Sequence, residues 1–441
     1  MADRICKVAI VGIGTVGGEV ARGIIRDADL IAEKTGIRLV LSHVVDKNGA
    51  RAAELGLENL LCPSVDAVIA DSEVQVVVEL VGGTTFARTV IEKALKAGKS
   101  VVTANKALLA IHGHELLSLA RKHGTSISFE ASCEGGVPII RALTDGVITN
   151  RIDALYGIVN GTCNYILTAM TKRGKSYKDA LLEAKVAGLA EADPSLDVRG
   201  IDSAHKLTIL ASLAFGRRID FSLIHTEGID SLDVKDVMFG KELGYIIKLL
   251  ACAERTPQGI SLKVRPSFIA EKHPLAWVSG SFNAVSVYGH TSGHTMYYGR
   301  GAGGNPTSSA VLADIVSSAL GTAKILFDSL RIFPDVAQKA EVIDPNETKS
   351  RFYIRAVVLD KPGVFAKIGA ILARHSISIS SVLQKEPTDD EKDALAVPVV
   401  ITTHQAIEGS VRQAVQEIDS LPEASGKSVL ISIMDEYKEY A

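Results

Sequence analysis

The sequence predicts a doubly wound parallel α/β domain, then an α+β domain, then a small ferredoxin-like βαββαβ module. Three observations carry that prediction. Residues 1–150 alternate strictly between short β-branched runs and helix-period stretches, the pattern of βαβ units around a parallel sheet. Residues 151–330 change rhythm, with helical segments first and alternating strands after them. Beyond a linker at 331–350, residues 351–436 follow the order β-α-β-β-α-β in about 80 residues. The length of 441 residues suits three domains at roughly 150 residues each.

In the first domain the buried strands are read at 6–11, 39–45, 74–80, 100–102 and 126–129. Helix periodicity falls at 19–34, 87–97 and 108–122. In the second, helices are expected at 164–172, 177–187 and 200–215, and strands rich in Ser, Val and Tyr between 259 and 299. Residues 308–326 read as one long helix that packs back on the first domain. Pro274 and Trp277 read as core. The linker (FPDVAQKAEVIDPNETKS, 333–350) has two prolines, several charges and little periodicity. After it come strand 351–360, helix 363–374, strands 377–384 and 394–402, helix 407–421 and strand 428–436.

Forty-eight basic residues against 51 acidic ones leave a net charge of −3. That near-balance gives no electrostatic reason to expect a nucleic acid or an anionic membrane as partner. With 47% hydrophobic and 22% charged residues, the chain can bury several cores. No apolar run approaches the ~18 residues of a membrane span. The opening Met1-Ala2-Asp3-Arg4 runs straight into a strand-like segment without a signal-peptide pattern. Cys6, Cys62, Cys133, Cys163 and Cys252 are odd in number, scattered and never in a CxxC pair. A disulfide framework or thiolate zinc site is therefore not expected, and a reducing, cytoplasmic setting is.

Gly12-Ile13-Gly14-Thr15-Val16-Gly17 follows the first strand and opens a helix. A dinucleotide pyrophosphate must approach the backbone where any Cβ would obstruct it, and free N–H groups at a helix N-terminus hold the anion. Placed at the first βα turn, the motif points to a bound dinucleotide. Asp46 ends the second strand, where an acid would bind the ribose hydroxyls of NAD. The next residue, Lys47, suits the 2′-phosphate of NADP instead, and a solvated Asp-Lys-Asn-Gly turn accounts for both.

The segment from Gly188 to Lys206 carries Glu191, Asp193, Asp197 and Asp202 around Pro194 and Gly200, then enters an apolar helix. Asp202 and Lys206, four apart, share a helix face. In a cleft, a carboxylate beside an ammonium orients it for proton transfer. A metal loop is a competing account, but the spacing lacks the order of a calcium hand; a solvated loop with an acidic cap is another. Lys106 closes V-T-A-N-K (Val102–Lys106) at the carboxyl end of a parallel strand, where doubly wound folds bind ligands. The segment Glu130-Ala-Ser-Cys-Glu-Gly-Gly-Val-Pro138 ends the next strand.

In order, the chain shows GxGxxG, V-T-A-N-K, E-A-S-x-x-G-G-x-P, G-I-V-N-G-T-x-N-Y (157–165), A-E-A-D-P-x-x-D-V-x-G-x-D-x-x-x-K and G-x-G-G-N-P-T (301–307). Over about residues 5–330 it resembles the homoserine dehydrogenases. The resemblance implies a Rossmann-type domain, a catalytic and dimerisation domain, and interconversion of L-homoserine and L-aspartate 4-semialdehyde with NAD or NADP. That step leads towards threonine, methionine and isoleucine. It further implies Lys206 as proton donor, Lys106 as a second active-site lysine that also touches the cofactor, and Glu191 as the partner of the substrate amino group. Asp197 and Asp202 match the family's active-site acids. Thr103, beside Lys106, joins Gly12–Gly17, Asp46 and Lys47 in the expected cofactor set, and Gly303 matches a return contact. A sodium ion is implied on backbone carbonyls of Glu130, Cys133, Gly135 and Val137. Two close lysines are also expected to depress each other's pKa.

Leu359-Asp-Lys-Pro-Gly-Val-Phe365, a helix, and Ser376-Ile-Ser-Ile-Ser-Ser-Val382 resemble the ACT domain, a module that pairs edge to edge and binds amino acids. By that resemblance Asp360 and Gly363 are regulatory, threonine is the effector, and the chain forms a homo-oligomer. A module that only dimerises is the alternative. A hydroxyacid dehydrogenase with an ACT tail is a rival, but it would rely on an Arg, Glu, His set. A catalytically dead amino-acid sensor would not need Lys106, Glu191, Asp202 and Lys206. His112, His114, His290 and His294 are not expected to bind metal, and Cys133 and Cys163 are expected to pack.

Overall fold

The computed structural model describes residues 4–385 and 396–437. Strands β1 (Arg4–Val11), β2 (Ile37–Val45), β3 (Val74–Glu79), β4 (Ser100–Thr103) and β5 (Ile127–Ser128) form a parallel sheet in the order β2-β1-β3-β4-β5. Val8, Ile10, Val76, Val78 and Val102 are buried on one face and Ala9, Val11, Val74, Val77 and Val101 on the other. Burial on both faces is why these runs are continuously apolar rather than alternating. β5 is shorter than the run 126–129, because the chain turns at Phe129 into a short 3-10 helix, Glu130–Ser132.

The rest of the chain shares a second sheet. Its strands are β6 (Ile152–Ile158), β7 (His225–Thr226), β8 (Tyr245–Thr256), β9 (Gly259–Ala270), β10 (Phe282–Gly289), β11 (Gly293–Arg300), β12 (Lys349–Leu359), β13 (Ile379–Gln384), β14 (Ala396–Thr403), β15 (Ala406–Ile407) and β16 (Val429–Met434). The main order is β11-β10-β6-β8-β9-β16-β12-β14-β13. The C-terminal module is thus not a bead on a string. β16 pairs in parallel with β9, Ser432 opposite Ser267 and Met434 opposite Ile269. Within the module the order β16-β12-β14-β13, with helices Val364–Arg374 and Glu408–Asp419, is the ferredoxin-like arrangement. Of the strand expected at 394–402, residues 394 and 395 lie outside the described residues.

Several expectations change. β6 and β8 lie where no strand is expected, because their apolar runs carry no periodicity that separates strand from buried helix. The helix expected at 308–326 is two helices, Gly304–Leu320 and Thr322–Ser329, bent by 82°. Gly321, at φ +85°, ends the first with a left-handed residue that costs glycine nothing. The first helix packs on helix Thr15–Arg26, where a Cβ on Gly23 would come 2.6 Å from Leu312 Cδ1. Trp277 is not core: it is 77% exposed, because the short turn Pro274–Trp277 buries Leu275 instead. The segment 333–350 is also tied down. Ile260 N donates to Glu341 O (2.8 Å), Ala340 N to Arg218 O (2.9 Å), and Arg121 pairs with Asp335 (2.7 Å).

Two buried ionic clusters join the module to the domain before it. Asp236 is fully buried and accepts from Arg355 (2.6 and 2.8 Å) and the Tyr353 hydroxyl (2.9 Å). Glu408, equally buried, accepts from Arg265 (2.8 and 2.9 Å), Lys263 (3.1 Å) and Arg412 (2.7 Å). No single described helix is long and apolar enough to cross a membrane; the pair bent at Gly321 passes on length and composition alone.

Candidate active site

The turn after β1 has the shape its glycines predict. Gly12 sits at φ +95°, where a Cβ would lie 2.7 Å from the Leu80 carbonyl oxygen; a Cβ on Gly17 would lie 2.0 Å from that of Gly12. Gly14 is exposed with open space around it and precedes helix Thr15–Arg26. Thr15 is exposed too, and Val16 lines a cleft described below. Asp46 folds towards the loop: one oxygen accepts from Ile13 N (2.8 Å), the other from Asn48 N (2.8 Å). Lys47 is exposed. Across the loop, buried Thr103 donates to Glu79 (2.6 Å), whose other oxygen accepts from Val81 N (2.9 Å) and Gly82 N (3.2 Å). Glu79 fixes the backbone opposite the glycine turn; the sequence reading gave it no role.

A cleft of about 360 Å³ runs from Val16 and Glu79 past Lys106 to Glu191, Asp197, Asp202 and His205. Three folding decisions bring these together. Asn105 caps helix Lys106–Lys122 by accepting from Leu108 N (3.1 Å), so Lys106 is that helix's first residue. Gly200, at φ +80°, turns the acidic loop into helix Ile201–Phe215, with Asp202 in its first turn. Lys206 follows one turn later, and its side chain is buried.

Asp202 is the meeting point. Its Oδ1 is 2.9 Å from Lys106 Nζ and its Oδ2 is 3.2 Å from Lys206 Nζ. Burial alone would raise the Asp202 pKa, but the two ammonium groups outweigh it and hold the carboxyl well below its usual range. Lys206 is the mirror case. Burial alone would lower its pKa, yet Asp202 and Glu134 hold it protonated above the ordinary lysine value. The expected mutual depression of the lysines is therefore wrong for Lys206, because a carboxylate stands between the two cations. The Lys206 ammonium also donates to the Val159 carbonyl. Asp197 is half-buried, its pKa raised by that burial, and it accepts from the Asn160 amide (2.7 Å). Glu191 stands exposed on the rim, with no ion-pair partner among the described residues.

Two further residues belong here. The Asn160 amide nitrogen bridges Asp197 and Asp202 (2.7 and 2.9 Å), and its carbonyl oxygen caps helix Gly161–Arg173 through Cys163 N (2.8 Å). Glu134 is buried with no hydrogen bond to either carboxylate oxygen, 3.8 Å from Lys206 Nζ; burial pushes its pKa up to about 7. A signal existed for both: an amide inside G-I-V-N-G, and an acid inside an otherwise apolar and small-residue stretch.

Models of three families match the chain: the homoserine dehydrogenase NAD-binding domain over residues 12–130, homoserine dehydrogenase over 138–316 and the ACT domain over 352–423. A homoserine dehydrogenase of Pseudomonas aeruginosa is 41% identical over 430 residues, covering 97% of this chain and 98% of that protein. The chain belongs to the homoserine dehydrogenase family. It is accordingly an NAD(P)-dependent oxidoreductase. The crystal structure of a homoserine dehydrogenase from Thiobacillus denitrificans superposes with a TM-score of 0.92 at 39% identity, covering 98% of this chain and 99% of that one. A hyperthermophilic archaeal homoserine dehydrogenase solved in complex with NADPH covers 72% of this chain and 98% of its own, with a TM-score of 0.59 at 27% identity.

The other residues that the resemblance implies are not among those lining this cleft. Gly303, at φ +114°, precedes helix Gly304–Leu320, and a Cβ on Gly304 would come within 3.5 Å of the Thr15 carbonyl. Glu130 accepts with its carboxylate from Ile140 N (2.8 Å) and Arg141 N (2.9 Å). Its carbonyl accepts from Cys133 N (3.3 Å), and that of Val137 from Ile139 N (2.8 Å). The Cys133 and Gly135 carbonyls accept no backbone hydrogen bond among the described residues. Cys133 is buried, its thiol pushed up to about 12 by that burial. Among the described residues no three His, Cys, Asp or Glu side chains are grouped to hold a metal. In the ACT module Gly363 (φ +90°) is the residue before helix Val364–Arg374, and Asp360 is exposed beside Gln384 (3.5 Å).

Proposed function

We propose that L-homoserine and L-aspartate 4-semialdehyde are interconverted in the cleft around Asp202. Lys206 holds and moves the proton at the substrate oxygen, and Lys106 contacts both substrate and cofactor. The nicotinamide, when bound, accepts or supplies the hydride. The observation that carries this reading is the pair of ammonium groups on one buried carboxylate, at the carboxyl edge of the parallel sheet. Reduction of the aldehyde leaves a developing alkoxide that needs a positive donor within hydrogen-bond reach. An ammonium held by Asp202 is aimed at no entropic cost during the reaction. Asp197 and Asp202 serve as active-site acids, Asp202 by orienting both lysines, while Glu191 faces the cleft with its charge unspent and suits the substrate amino group.

The glycine turn, Thr103 and Gly303 fit a dinucleotide, with Asp46 suited to a ribose and Lys47 to a 2′-phosphate; either cofactor form is accommodated. A sodium ion on the carbonyls of Glu130, Cys133, Gly135 and Val137 fits the two of them that have no backbone partner, since hard cations take oxygen ligands. The ACT module supports threonine as effector near Asp360 and Gly363, and a homo-oligomer built on module pairing. Scattered free cysteines suit a cytoplasmic setting.

The test is Lys206→Ala, assayed by reduced-nicotinamide absorbance with aspartate semialdehyde. Turnover falls by about 10²–10⁴-fold while cofactor affinity, read by fluorescence titration, stays. Equal loss of both would remove Lys206 from this role.

A further inference from the structure

A second cleft, of about 560 Å³, opens on the shared sheet where the strands of the catalytic part give way to those of the ACT module. It lies apart from the cleft around Asp202 and from the Gly363 turn, and shares no lining residue with either. We propose that it binds a zwitterionic α-amino acid, its carboxylate on Lys263 and Arg265 and its ammonium on Glu254.

The charges are arranged for such a ligand. Lys263 and Arg265 are buried in the second-sheet strand β9, and both line the cleft. Arg265 spends one terminal nitrogen on both oxygens of Glu408 (2.9 and 2.8 Å); its Nε and other terminal nitrogen have no partner among the described residues. A guanidinium with an unspent edge is a carboxylate receptor. Glu254, on β8, accepts the Tyr156 hydroxyl on one oxygen (2.7 Å) and has no cation within ion-pair distance among the described residues. The register sets the spacing: Cys252 pairs with Lys263 and Glu254 with Ser261, so Glu254 and Lys263 are diagonal neighbours on one face. Diagonal neighbours in an antiparallel pair lie about 7–8 Å apart; the Lys263 ammonium turns to Glu408 instead of Glu254, which leaves the two charges apart on one face. The lining carries Lys263, Arg265 and Lys349 against Glu254 and Glu347, and buried Glu408 behind it balances part of the charge of Lys263 and Arg265. A guanidinium edge and a carboxylate without a cation, set apart in one cleft, suit a zwitterion better than a simple anion.

A ligand held there would touch both halves of the protein. Lys263 donates to Thr348 as well as to Glu408, and Glu408 begins the helix Glu408–Asp419 of the ACT module. Occupancy would therefore report to the catalytic strands and to the module through the same two cations.

The experiment is equilibrium dialysis of the full-length protein against each of the proteinogenic amino acids, with acetate and methylamine as the two half-ligands. At least one amino acid is expected to bind where neither half-ligand does. Its affinity should fall about tenfold or more in Glu254→Gln and in Arg265→Lys, and stay unchanged in Gly363→Ala. Glu254→Gln removes the charge, keeps an oxygen to accept from Tyr156, and decides the matter if Arg265→Lys fails to fold. Absence of any amino acid binding, equal binding of acetate, or binding lost in Gly363→Ala and kept in Glu254→Gln would each overturn the proposal.

Discussion

Asp202→Asn removes one charge from a group that faces two cations, and the structure says how the loss should divide. At an effective dielectric of about 20, a unit pair at 2.9 Å or 3.2 Å is worth roughly 5–6 kcal/mol. The Lys106 side chain is 40% exposed, so solvent screens most of its share. Lys206 is buried, and regained desolvation of the carboxylate offsets part of its loss. The net cost of stripping a partner from such a buried pair is about 3–5 kcal/mol. At 1.36 kcal/mol per unit, that lowers the Lys206 pKa by about 2–4 units. The basic limb of the kcat profile should therefore move down the pH scale by about that much. At neutral pH kcat should drop by about 10²–10⁴-fold, since a misaimed ammonium loses the proton-transfer contribution. Steady-state rates in both directions across pH, with cofactor affinity measured separately, read all of this. An unmoved basic limb with kcat within about threefold of the parent would show that Asp202 does not govern Lys206, and the reasoning would fail.

Acid should loosen the ACT junction before it touches the parallel sheet. Burial alone would raise the pKa of Glu408 and Glu227, but Arg265 and Lys263, and His225 and Arg412, hold them down to about 2. A depressed carboxyl stabilises fully above its unfolded value near 4.5, and that contribution fades as pH falls towards 2. Thermal melts from pH 6 to pH 2.5 should show this, and Glu408→Gln should remove the Glu408 share of the dependence while lowering stability at pH 6. Gly17→Ala places a Cβ against the Gly12 carbonyl, so the helix must shift; cofactor KM should rise about ten- to hundredfold with a smaller change in kcat. Gly363→Ala and Asp360→Ala should blunt threonine inhibition measured as a dose–response of the rate, and an unchanged curve would remove the Gly363 turn from regulation.

What the sequence made legible followed strong local signals. The parallel sheet was readable because its strands are short, apolar and separated by helix periods, and the glycine turn because only glycine fits at Gly12 and Gly17. Lys106, Asp202 and Lys206 were readable as a set because two of them share a helix turn and the third follows the carboxyl end of a strand. What was lost depended on distance in sequence. Glu134 approaches Lys206, and Asn160 bridges Asp197 and Asp202, only after three separate segments have folded together. The pKa of Lys206 was misjudged for the same reason, since spacing brings two lysines near each other without showing that a carboxylate lies between. Trp277 shows the opposite failure: residue type suggested burial, and a four-residue turn put its neighbour inside instead.

The parallel pairing of β9 with β16 has a further consequence. Hinged receptor modules transmit a message by swinging, and the swing is cheap because a flexible tether absorbs it. Here backbone hydrogen bonds, the Asp236 cluster and the Glu408 cluster clamp the two parts along a common edge, so rotation would tear a ladder apart. Any message from effector to lysines must travel as a small slip or change of twist along β9 and β8. The enzyme should then respond to its effector in graded fashion, with little change in its overall dimensions in solution scattering.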